Sequence, residues 1–139
     1  MVTDLAHRLD QIATQAREAD STGLAYQLAD ELSNLADGFD AVDPILRFME
    51  EHPDFDFGCP GPLVHFVETF YKKGYEDRLC QSIRRRPTLH TVWMLNRLIN
   101  GSKGDAKSHY VGLLDEVSAR ADVDTETLAQ VREFMALHR

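Results

Sequence analysis

Few side chains in this sequence are spaced for chemistry. His65 and Glu68 stand three residues apart in a stretch that predicts a helix, so both can face one way. Di-iron bundles use Glu-x-x-His twice, with two further carboxylates on partner helices. Here the order is reversed and occurs once, so no metal site is expected. Asp105 and His109 form an i,i+4 pair near a helix start, which surface hydrogen bonding explains without a metal. Cys80 with His90 or His65 would make a nucleophile and base if the fold joined them. No flanking signature or oxyanion turn accompanies them, and Cys80 falls in an apolar helical pattern as a small core residue. The 23 acids make accidental carboxylate pairs inevitable, so no acid–base pair is singled out. The dinucleotide, phosphate-loop and zinc-protease motifs are absent; Gly101-Ser102-Lys103-Gly104 is a turn with neither the spacing nor the preceding strand of a phosphate loop. The chain reads as a protein without catalytic residues, cofactor or metal.

Polar residues that could bind a partner are more prominent. Arg84-Arg85-Arg86, with Arg78 before it, is a short basic cluster at a helix end, where bases complement the dipole. With a net charge of −8 and no reader motif, direct nucleic-acid binding is not expected. Asn96 and Asn100 lie one turn apart in an otherwise apolar helix. A buried amide must be paired, so Asn96 is expected to bond a loop backbone, with residues 53–62 the candidate. In that loop, PDFDFGCPGP, Phe55 and Phe57 alternate with Asp54 and Asp56. The two rings either dock between helices, the commoner fate of large aromatics, or face a partner.

The elements that position these residues are helical. No alternating Val/Ile/Thr runs and no Asn-Gly turn are present. Eight helices follow from apolar spacing and caps. Thr3 caps the first, through about Ala19, with Leu5, Leu9, Ile12 and Ala16 on one face. Ser21 or Thr22 caps the second, carrying Leu24, Leu28, Leu32 and Leu35 until Gly38. Asp43-Pro44 begins the third, which runs to His52 before Pro53. The fourth covers 61–73 and stops at Gly74; the fifth covers 75–86 and stops before Pro87. Thr88 caps the sixth, which Gly101 ends; the seventh covers 105–121, and Asp124 or Thr125 begins the eighth. The sixth is apolar on more than one side (Leu89, Val92, Leu95 and Ile99, then Trp93 and Leu98), so it must pack on more than one side. Short loops make neighbours antiparallel. The expected fold is all-α, about eight short helices in antiparallel pairs, a HEAT-like right-handed α-solenoid; no exact repeat of 34 to 47 residues is visible.

At 139 residues a single domain over 1–139 is expected, with enough core to need no metal or disulfide. Charge divides unevenly. Residues 1–58 hold 13 acids and 3 bases, net −10, while residues 59–139 hold 10 acids and 12 bases, net +2. Such an acidic half repels nucleic acid and anionic membrane and attracts basic protein surfaces. Cys59 and Cys80 are too few for a disulfide framework, and Cys59 is expected to be exposed in a turn. The start has neither a basic n-region nor an apolar h-region, and no apolar run nears the roughly 20 residues a bilayer needs. A cytoplasmic home is expected.

As a block, PGPLVHFVETFYKKGYEDRLCQSIRRRPTLHTVWMLNRLIN resembles the central segment of small all-helical immunity proteins of bacterial contact-dependent inhibition and polymorphic toxin systems. The matching pieces are Pro60-Gly61-Pro62-Leu63-Val64-His65, Gly74-Tyr75-Glu76, Pro87-Thr88, Trp93-Met94-Leu95-Asn96-Arg97 and Ile99-Asn100. The resemblance covers about residues 48–100. It implies a protein that blocks the toxin C-terminal domain encoded by an adjacent gene, and it supplies no catalytic residue. Many such toxins are nucleases with cationic clefts, and an acidic inhibitor can stand in for the phosphate backbone. The expected contact surface is the acidic third helix and the following loop: Glu50, Glu51, Asp54, Phe55, Asp56 and Phe57, with Phe55 or Phe57 as an apolar anchor in a charged rim. The main alternative is a HEAT-like adaptor or scaffold for another basic protein. A third reading, a small helical enzyme, requires a cavity where polar groups converge on His65 or His90.

Overall fold

The computed structural model describes residues 4–14, 21–55 and 61–138, and among them all regular structure is helical. The eight α-helices are α1 (Leu5–Thr14), α2 (Ser21–Ser33), α3 (Val42–Glu51), α4 (Pro62–Glu68), α5 (Tyr75–Arg85), α6 (Leu89–Asn100), α7 (Gly104–Ser118) and α8 (Thr125–Leu137), with a short 3₁₀ turn at Gly38–Ala41. No helix is long and apolar enough to cross a membrane among the described residues. The chain divides into two compact units, Met1–Arg78 and Leu79–Arg139.

In the first unit, α1 packs on α2 and α3, and α4 packs on α2 and α3, the neighbour relation of a helical bundle. Leu5, Leu9 and Ile12 of α1 are buried as their spacing requires. Thr3 and Ala16 lie outside the described residues, as does Cys59. The buried face of α2 is Ala25, Leu28, Ala29 and Leu32, while Leu35 is 36% exposed. That helix stops at Ser33, short of the predicted Gly38. There the Ser33 hydroxyl donates to the Ala29 carbonyl and the Asn34 amide to the Asp30 carbonyl, so local side-chain bonds compete with the helical ladder.

Ala41, not Asp43, is the cap residue of α3. Asp43 instead pairs with Arg47 one turn on, at 2.9 Å. Pro44 falls in the first turn, where a missing N–H breaks no helical bond.

α4 ends at Glu68, five residues earlier than its pattern predicts. The cause is tertiary. Phe70 leaves the helix to lie edge-on to both Phe66 and Phe39, each pair with centroids 5.4 Å apart. Lys72 then takes a left-handed conformation (φ 64°), and Gly74 follows at φ 106°. The Glu76 carboxylate accepts from the Lys72 backbone N–H. Arg78 lies over the Phe39 ring, 5.9 Å from its centroid. Lys72 and Lys73 therefore sit in a turn and not in the last turn of a helix.

In the second unit α6, α7 and α8 contact one another pairwise. The Thr88 hydroxyl and Thr91 form a reciprocal capping box at the start of α6. The Asp124 carboxylate accepts from Thr127 N–H at 3.0 Å and caps α8; this bond holds Asp124 below the usual carboxylate range. α6 is buried on several sides, at Thr91, Val92, Met94, Leu95, Asn96, Leu98 and Ile99. Trp93 on the same helix is 44% exposed and edge-on to Phe134. Cys80 is buried. The end of α5 is closed from a distance: Arg120 Nη1 donates to the Arg84 carbonyl at 2.7 Å, and Asp122 grips the same guanidinium at 2.7 and 2.8 Å. Arg84 itself reaches Glu116 at 3.4 Å.

Candidate protein-binding site

The predicted contact surface begins at the end of α3. Glu50 is 9% exposed and engaged by neighbours, so it is not presented as a free charge. The amphipathic spacing explains this: Glu50 stands one turn after the buried Leu46 and shares its side of α3. Glu51 and Asp54 are exposed. Phe55 docks, half-buried, edge-on to Phe48 with centroids 6.2 Å apart, and His52 packs on the same ring at 4.6 Å. Asp56 and Phe57 lie outside the described residues.

Charge is distributed unevenly on this unit. The two described arginines of residues 4–55, Arg8 and Arg47, are both paired internally, with Glu31 and Asp43. Asp10, Asp30, Asp40, Glu51 and Asp54 are exposed and make no ion pair with a described residue. Carboxylates left in that state keep their full field in solution and steer basic partners toward them.

A second feature was not foreseen from the sequence. α2 and α4 enclose an open groove of about 530 Å³. Its α2 wall is Tyr26, Ala29, Asp30 and Ser33; its α4 wall is Gly61, Pro62, His65, Phe66 and Thr69. Each wall follows one helix face at i, i+3, i+4 and i+7 spacing, so both walls are products of helical geometry. Tyr26 is 61% exposed on this wall. Phe66, 3% exposed, forms the floor. An aromatic among polar residues, one turn before an acid, was the sequence signal; only the facing helix turns it into a groove.

The His65 side chain is exposed in this groove and hydrogen-bonds to no described residue. The Ser33 hydroxyl donates to the Ala29 carbonyl and the Thr69 hydroxyl to the Phe66 carbonyl, so neither is held against His65. Among the described residues no three His, Cys, Asp or Glu side chains gather closely enough to hold a metal ion.

Asn96 has a different partner from the loop backbone expected for it. Its Oδ1 lies 2.7 Å from His138 Nε2, just past the end of α8, and Asn96 is buried. Asn100 is exposed. Burial first, and then the positive charge of Lys107, pushes the His138 pKa below its ordinary value. The folded state therefore favours the neutral ring and binds fewer protons than the unfolded chain near neutrality. The His138 contribution to stability is full above about pH 6.5 and is lost as pH falls through the lower folded value. Urea midpoints at pH 7.5 and 5.5 are expected to drop more for the wild type than for His138→Gln. Asp122, held low by its bond to Arg120, and Asp124 stay ionised throughout that window and leave the difference to histidine.

Comparison with protein-family models, curated proteins and solved structures returns no match.

Proposed function

We propose that this protein is a helical adaptor that binds a basic protein partner through its acidic amino-terminal unit and performs no chemistry of its own. The observation that carries this reading is the set of carboxylates (Asp10, Asp30, Asp40, Glu51 and Asp54) that make no ion pair with a described residue while both nearby described arginines are neutralised internally. A surface arranged in this way accelerates association with a cationic face and disfavours acidic competitors. A HEAT-like stack of helix pairs is the form of scaffold this reading favours, acting in the cytoplasm. The Ser33, Thr69 and His65 side chains, though near one another, are not bonded as a nucleophile and base, which favours a binding role over hydrolysis.

The narrower form of the same reading is immunity: the partner is a toxin domain, a nuclease above all, whose phosphate-binding cleft the carboxylates occupy. The resemblance of residues 48–100 and the acidic surface both favour it. Co-purification with the product of the adjacent upstream gene tests it; capture of a basic protein from elsewhere in the genome favours the general adaptor. In either form, Glu51→Lys with Asp54→Lys is expected to weaken the complex at least about tenfold, read as Kd at low salt. Unchanged Kd would move the interface off the end of α3.

A further inference from the structure

We propose that the groove between α2 and α4 is a receptor for an arginine side chain projected by the basic partner. This rests on the adaptor reading and adds the anchor that reading lacks.

The groove offers three things a guanidinium uses together. The first is a flat aromatic face: Tyr26 is 61% exposed. The second is a carboxylate at a fixed offset from that face. Asp30 is one helical turn beyond Tyr26, so their Cβ atoms lie about 5–6 Å apart on the same side of α2. Its carboxylate makes no ion pair with a described residue, and the Asn34 side chain bonds its backbone carbonyl and not the carboxylate. The third is an apolar floor of Ala29 and Phe66. A guanidinium can stack on the ring, fork onto the carboxylate and lay its methylenes on that floor.

Other occupants fit less well. A neutral apolar side chain would cover Asp30 and leave its charge dry and unpaired. A lysine satisfies the charge but neither stacks as a plane nor bonds the carboxylate with two parallel donors. A carboxylate or phosphate ligand would meet Asp30 head-on and the field of a unit whose residues 1–58 carry net −10. The α2 wall runs over eight residues and the α4 wall over nine, about 10–12 Å, long enough to take one long side chain.

The test uses the full chain and three blocked peptides that differ at one central position: arginine, lysine or norleucine between alanines. Binding is read from amide NMR shifts at low ionic strength. The arginine peptide is expected to move resonances of residues 26–33 and 61–69 and to bind several-fold tighter than the lysine peptide, with no shifts from norleucine. Tyr26→Phe is expected to bind like wild type; Tyr26→Ala and Asp30→Asn are each expected to lose about tenfold. Both positions are on the surface, so neither change removes core. Equal binding of arginine and lysine peptides would overturn the proposal, since charge alone would then explain it. Shifts confined to Glu51 and Asp54 would also overturn it while leaving the adaptor reading intact. Absence of shifts with every peptide would overturn it as well, and the adaptor reading would still be decided separately by whether a basic protein co-purifies with the full chain.

Discussion

Replacing Phe66 by alanine is expected to remove about 3–5 kcal/mol of stability, the largest effect among the substitutions considered. The ring is 3% exposed and meets Phe70 edge-on, and Phe70 meets Phe39 in the same way. A Cβ added at Gly38 would lie 3.6 Å from the Phe66 Cζ, which places the ring tip close under the 3₁₀ turn. Truncation therefore empties a space bounded by α4, the turn that follows it and the 3₁₀ segment. Edge-to-face contacts add about 0.5–1.5 kcal/mol per pair beyond buried area, so part of the loss is geometric. Urea unfolding checks it: the midpoint should fall while the slope stays constant. A loss below about 1 kcal/mol would mean that the three phenylalanines are not packed as a unit. The same ring floors the α2–α4 groove, so stability and groove shape are coupled at this position.

Gly74→Ala is expected to cost about 1–3 kcal/mol from backbone conformation alone, because φ is 106° there. A second term adds to it. The new Cβ would sit 3.0 Å from the Phe39 Cζ, and that ring is hemmed by Phe70 and by Arg78 over its face. Gly112→Ala is the control. Its Cβ would meet nothing within 4 Å in the interior of α7, and the exchange should stabilise by about 0.5–1 kcal/mol. Thermal or urea unfolding of the two variants should move in opposite directions. A rise in stability for both variants would show that the turn at Gly74 relaxes without difficulty.

The helices whose ends are written in local chemistry were legible in the sequence. Thr88 and Gly101 bound α6 as predicted, and Asp124 caps α8. Cys80 is buried in its helix. Ends set by distant partners were not legible. α4 stops early because Phe70 turns toward Phe39, thirty-one residues away, and no cap or breaker at Thr69 announces it. The C-terminal carbonyl of Arg84 is satisfied by Arg120, thirty-six residues on. Asn96 was recognisable as a buried amide needing a partner, but His138 as that partner was not. Of the proposed contact residues, Glu51 and Asp54 are exposed, Glu50 is turned inward and Phe55 docks on Phe48.

The sequence by itself determined that this protein is helical, that its acids crowd the first 58 residues, and roughly where most helices begin, because propensity, caps and composition are properties of neighbours along the chain. Only the tertiary structure decided which carboxylates meet no described base and that Tyr26 and Asp30 face His65 across a groove. Pairing and enclosure depend on the side chain that arrives from another helix, and helical periodicity fixes which face a residue occupies without fixing what that face will meet.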